Sequence, residues 1–153
     1  MDNKKTIQAI YQNCPNLKYL KLLFRNSNLL ELENLLIHCQ HLNGLYIVSD
    51  SIDSVFDWDN LFEILAKFSP TNLVKFDFVL KRGIYYDFKL EYLKSFLGNW
   101  ENRHPMSLQF TDPPKDHSAL DELLEKYKKK GIIKKYFCGK YLGDFCWVLG
   151  LYY

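Results

Sequence analysis

The sequence predicts an α/β solenoid of about five stacked helix–strand units, with a parallel sheet on the concave face and helices outside. Three observations carry this expectation. An apolar stripe with helical spacing recurs every 25 to 30 residues. A leucine-spaced phrase ending in strand-like alternation follows each stripe. The composition is that of one globular domain: 153 residues, 48% hydrophobic and 25% charged, enough apolar material to bury a core without disulfide staples. Twenty Lys+Arg against eighteen Asp+Glu leave a formal charge of +2, so no global field points to nucleic acid or membrane.

The helical stripes come in order. Ile7, Ile10, Tyr11 and Cys14 follow i, i+3, i+4, i+7, as do Leu32, Leu35, Leu36 and Cys39. Leu61, Ile64, Leu65 and Phe68 form the third, and Leu90, Leu93 and Leu97 the fourth, with Lys94 interrupting it. Leu120, Leu123, Leu124 and Tyr127 form the fifth. Each is one apolar face of a short amphipathic helix. Asn28 with Glu31, Asn60 with Glu63, and Ser118 with Asp121 have the spacing of N-caps. Pro15, Pro70 and Pro105 stand where three of the helices must have ended.

The strands follow. Leu17, Leu20 and Leu22 make L-x-x-L-x-L; Leu42, Leu45 and Ile47 repeat it, and Leu73, Phe76 and Phe78 do so again. Leu108 and Phe110 keep the last two positions, with Pro105 at the first. Residues 132–137 offer a fifth copy whose register is ambiguous. Period-two alternation marks a short strand, and a helix plus a strand of this size buries its apolar faces only by stacking on its neighbours. The period is that of a leucine-rich repeat. Residues 1–140 are expected to form this repeat domain and 141–153 an apolar C-terminal tail or cap.

The phrases Cys14-Pro15-Asn16-Leu17-Lys18-Tyr19-Leu20-Lys21-Leu22 and Cys39-Gln40-His41-Leu42-Asn43-Gly44-Leu45-Tyr46-Ile47 resemble the cysteine-containing leucine-rich repeat, C-x-x-L-x-x-L-x-L. With Asn28 to Leu36, Phe56 to Leu65, Trp100, Arg103 to Met106 and Glu125 to Lys128, the chain is similar to the repeat region of a large fungal family of F-box-like proteins. The resemblance spans roughly residues 5 to 137. It implies the substrate-recognition part of an F-box-type (SCF) ubiquitin ligase receptor: the F-box holds the ligase adaptor and the repeats hold a target protein. No F-box is recognisable in the chain, so an adaptor is an implied partner only if one lies outside it.

The residues themselves argue for holding rather than bond-making. Cys14 and Cys39 share one repeat position and are expected to pack as small buried hydrophobes. Cys138 and Cys146 have no C-x-x-C or H-x-x-H partner, and His38, Cys39 and His41 sit at a junction unsuited to aiming three ligands at one ion, so no metal and no cofactor is expected. The acidic pairs Asp50/Asp53, Asp57/Asp59 and Asp121/Glu122 stand at helix starts, where carboxylates suit the dipole. No phosphate loop, nucleophile elbow or spaced Cys/His pair is present, and no enzyme is expected.

The binding surface is expected on the concave face. In L-x-x-L-x-L the leucines point into the core, so the residues between them point the other way. These are Tyr19, Lys21 and Leu23; Gly44, Tyr46 and Val48; Lys75, Asp77 and Val79; and Ser107, Gln109 and Thr111. Tyr19 and Tyr46 offer contact area with a polar tip, while Lys21, Lys75 and Asp77 set charge preference. The alternative is a nucleic-acid or anionic-surface contact through the basic segment 126–140, where lysines alternate with Tyr127 and Tyr136; the plainer account is a lysine-guarded edge strand and the solvated end of a helix, which makes nucleic acid the less favoured partner. The apolar run from Phe145 to Tyr153 is too short to span a bilayer. Without a signal-like start, a cytoplasmic or nuclear location is expected.

Overall fold

The computed structural model describes residues 3–49, 54–80 and 88–139. Among these residues five α-helices alternate with five strands: α1 Lys4–Asn13, β1 Tyr19–Phe24, α2 Leu29–His38, β2 Gly44–Ser49, α3 Trp58–Phe68, β3 Lys75–Val79, α4 Leu90–Gly98, β4 Met106–Thr111, α5 Ser118–Lys129 and β5 Ile133–Gly139. The strands form one parallel sheet in chain order, β1-β2-β3-β4-β5. Consecutive helices touch from α1–α2 through α4–α5 and share one buried cluster with the sheet. No helix among the described residues is long and apolar enough to cross a membrane. The segment 141–153, the pair Asp50/Asp53 and the end of the basic segment at Lys140 lie outside the described residues.

The core lies between sheet and helices. Leu45, Ile47, Phe76, Phe78, Leu108 and Phe110 meet the helix residues Leu32, Leu36, Leu61, Leu65, Leu93, Leu97 and Leu124 in one buried cluster. Its centre is aromatic: Phe62 stacks on Phe96 at 5.1 Å, Phe76 on Phe78 at 5.8 Å, and Trp58 meets Phe62, Phe78 and Phe88. Fully burying each such ring removes enough apolar surface from water to stabilise the fold by roughly 1.5–3 kcal/mol.

Unit one is open where unit two is closed. Leu42, Leu45 and Cys39 are fully buried, whereas the equivalent Leu17 and Leu20 are half-buried and Cys14 is exposed. This corrects the expectation for Cys14. The repeat position has no burial of its own: Cys39 is covered because unit one lies beside it, and its Sγ donates to the Cys14 carbonyl at 3.6 Å.

The helix starts also differ from expectation. Asp57, not Asn60, caps α3, its Oδ1 accepting from the Asn60 backbone N–H at 3.0 Å. The helix begins a turn early because Trp58 is drawn into the aromatic core, 4% exposed. Asn28 precedes α2 but makes no cap bond to it; its Oδ1 instead closes a 3₁₀ turn by accepting from the Arg25 N–H. Ser118 is the first residue of α5 rather than its cap, and Asp116 receives both its N–H and its hydroxyl. In α4 the buried stripe is Leu93, Phe96 and Leu97, continued past the helix end by Trp100, with Leu90 only half-buried, so Lys94 interrupts nothing. Helix α5 ends on Gly131 in the left-handed region (φ 80°). The Gly131 N–H reaches the Lys128 carbonyl and the Ile132 N–H the Tyr127 carbonyl, the paired bonds of a Schellman stop.

Candidate functional site

The face opposite the helices carries three lateral rows, in the predicted register from β1 to β4 and extended by β5, whose register the spacing leaves ambiguous. Tyr19, Gly44, Lys75, Ser107 and Lys135 form the first; Lys21, Tyr46, Asp77, Gln109 and Phe137 the second; Leu23, Val48, Val79, Thr111 and Gly139 the third. The leucines between them face the core, as alternation requires.

Exposure is where expectation and structure part. Lys21 is exposed, and Tyr19, Leu23, Val48 and Lys75 are half-buried. Tyr46, Asp77, Val79 and Gln109 are buried, Asp77 and Gln109 completely. Those four are therefore not open to a partner in this fold, and Asp77 does not set charge preference at the surface. Its carboxylate instead accepts the Thr111 hydroxyl at 3.0 Å, and Thr111 Oγ1 accepts the Gln109 amide at 3.4 Å. A buried polar relay of this kind fixes the register of β3 against β4, since a slip of one residue would strand the carboxylate among apolar side chains. Towards β1 the face is cationic and aromatic. Lys21 Nζ lies 4.5 Å over the Tyr46 ring, and Lys75 Nζ lies 6.0 Å from the centre of the Tyr19 ring.

The histidine–cysteine junction is dispersed. His38 is exposed, stacks on Tyr11 at 5.0 Å and has Nδ1 2.7 Å from the Asn34 carbonyl. His41 is exposed and Cys39 buried. The basic segment is divided as well. Lys126, Lys128 and Lys129 occupy the last turn of α5, where cations suit the helix dipole. Lys130 covers the Tyr127 ring at 4.9 Å and Lys128 lies 5.8 Å from that of Tyr136.

One constellation was not visible in the spacing. His117, Asp121 and Cys138 come together where the start of α5 meets β5, with their ligating atoms within 4.8 Å of one another. His117 Nδ1 lies 2.8 Å from Asp121 Oδ2. Burial, the Asp121 charge beside it and a hydrogen bond to that carboxylate push the Cys138 thiol up to about 12. One turn further along α5, Glu125 accepts the Tyr136 hydroxyl at 2.8 Å, which together with burial pushes that phenol up to about 12. These residue types are those of a thiol hydrolase, but the connectivity is wrong. Asp121 lies against the thiol, and burial and that carboxylate raise the thiol rather than lower it, the opposite of what activates a cysteine nucleophile.

The signal that finds this group is structural arithmetic. Ile133, Tyr136 and Cys138 keep the L-x-x-L-x-L spacing, which turns Cys138 to the helix side, and His117 and Asp121 share a helix face at i, i+4. The thiols should accordingly differ in reactivity. In brief treatment of the native chain with iodoacetamide near pH 8, peptide mapping should find Cys14 modified and Cys39 and Cys138 protected. Burial also raises the Cys39 thiol, and labelling of Cys39 as fast as Cys14 would contradict the packing of unit one on unit two.

Comparison with known protein families, curated proteins and solved structures returns no match.

Proposed function

We propose that the chain is a protein-interaction module of leucine-rich-repeat type, the target-recognition part of an F-box-type ubiquitin ligase receptor. The observation that carries the first half is the set of continuous side-chain rows on the face of a parallel sheet away from the described helices, buried at its centre and more exposed towards β1. A stacked array offers such a surface by its construction. The ligase half rests on the resemblance of the repeated C-x-x-L phrases alone.

The target segment is placed at the β1 end. Tyr19, Leu23 and Val48 supply apolar contact, and Lys21 and Lys75 supply positive charge. With Asp77 withdrawn from solvent, this patch favours a partner that mixes apolar and acidic side chains. The chain holds the target and does no chemistry on it.

Quantitative affinity capture with the wild-type chain and Lys21→Glu tests the reading. Reversing an exposed charge should weaken recovery of the specific partner about tenfold, near 1.4 kcal/mol, with a smaller loss of melting temperature from the Lys21 contact over the Tyr46 ring. The same partner should survive moderate salt, whereas a phosphate-bound ligand would be lost steeply. Equal recovery by both proteins would remove the β1 end as the site. The ligase role has its own arm: co-purification of a cullin–RING adaptor with the gene product supports it, and a partner recovered without any adaptor refutes it.

A further inference from the structure

We propose that His117, Asp121 and Cys138 form a three-ligand zinc site across the seam between α5 and β5. The argument begins with the donor set. One imidazole nitrogen, one carboxylate oxygen and one sulfur are the three ligand types that zinc accepts together, whereas magnesium and calcium ask for oxygen alone. The three residues come from positions 17 and 21 apart from Cys138 and converge only through the fold.

The distances fit with small adjustments. Tetrahedral zinc with bonds of about 2.0–2.3 Å sets its ligand atoms roughly 3.3–3.8 Å apart. The His117–Asp121 pair, at 2.8 Å, must open slightly, and the widest pair, at no more than 4.8 Å, must close by about 1 Å. Rotation of half-buried side chains accomplishes both. His117 stands before the first turn of α5 with no cap bond from its side chain, so its ring turns without breaking a cap.

Charge favours the ion. Thiolate and carboxylate neutralise the dication, so the half-buried seam is left with no net charge once the thiol proton has gone. The positive end of the α5 dipole opposes a cation, but Asp116 adds a further carboxylate at that end. Its oxygen is held by the Ser118 N–H and hydroxyl. The bond between Tyr136 and Glu125 already ties β5 to α5 one turn away, giving the ligands a fixed frame. Metal binding releases the thiol proton to solvent as the S–Zn bond forms. Zinc there would pin the last strand of the sheet to the last helix, and three protein ligands leave a fourth position for water or one more donor.

The test uses the full chain freed of metal by chelation and titrated with cobalt(II), whose tetrahedral thiolate complexes absorb visibly and in the near ultraviolet. The expected result is saturation at one equivalent, displacement of cobalt by zinc, and a zinc-dependent rise in melting temperature. Cys138→Ser and His117→Ala should each weaken binding at least ~100-fold, at or beyond the largest losses seen for outer-shell partners. Cys14→Ser should bind like the wild type. His117→Ala carries the test if Cys138→Ser fails to fold, because the ring is partly exposed and supports no cap. Absence of absorption at equimolar cobalt, or absorption undiminished in Cys138→Ser, would overturn the proposal.

Discussion

Trp100→Ala should cost the chain about 3–5 kcal/mol, the range for truncating a large buried aromatic. Trp100 is 1% exposed, just past the end of α4. Its ring meets Phe76 edge-on at 5.7 Å and Phe96 at 5.4 Å, and its indole N–H donates to the His104 carbonyl at 2.9 Å. The residue thus joins β3, α4 and the turn into β4 at one point. Alanine leaves a cavity that three elements would have to collapse into, and the sheet on one side cannot move without breaking its ladder. A domain of this size is stable by only about 5–15 kcal/mol, so a large share of that margin goes. Urea unfolding should show a lower midpoint at an unchanged m-value. Trp100→Phe keeps the ring contacts and loses the N–H bond, and should cost less than half as much. A loss under about 1 kcal/mol for the alanine variant would mean that the aromatic cluster is not packed as described.

The same residues show how far the sequence could be read. Leucine spacing fixed which strand residue lies beside which, because a period of two leaves no freedom once one face is buried. The fifth strand escaped that reading since Tyr136 and Cys138 stand where leucines stand elsewhere, and a register shift at Met106/Ser107 displaces its alternation. Helix starts were misplaced where a tertiary demand overrode a local one: Trp58 takes α3 back a turn into the core and leaves Asn60 inside the helix. Alternation gave the side of the sheet on which Tyr19, Lys21, Tyr46, Lys75 and Asp77 lie, but not their exposure. Alternation states which way Asp77 and Gln109 point; whether anything covers them is a property of the folded chain. The zinc trio was invisible for a related reason. Ligand motifs are local in sequence, and this one is joined only by the packing of a helix on the strand that follows it.

Arg103→Met should cost about 2–3 kcal/mol, as expected for hydrogen bonds from a charged donor together with a desolvated ring contact. The guanidinium donates to the carbonyls of Ser69, Ala66 and Pro70, the last two at 3.4 and 3.5 Å, and lies 4.0 Å over the Trp100 ring. Ala66 lies in the last turn of α3, and Ser69 and Pro70 follow it, so Arg103 satisfies carbonyls that a helix end leaves over while placing a cation at the negative end of the dipole. Burial lowers the Arg103 pKa, yet the group stays charged throughout the stable pH range. Lysine offers one compact ammonium in place of a planar fork, so it cannot both reach several carbonyls and lie flat on indole; Arg103→Lys should recover less than half the loss. The ring and the fork also depend on each other. In the double variant Trp100→Ala/Arg103→Met the losses should fall short of the sum by about 0.5–2 kcal/mol, since each single change already disturbs the other's site. Strict additivity would mean that the guanidinium is held by the α3 carbonyls alone, and that the stack over Trp100 follows from that anchoring without adding to it.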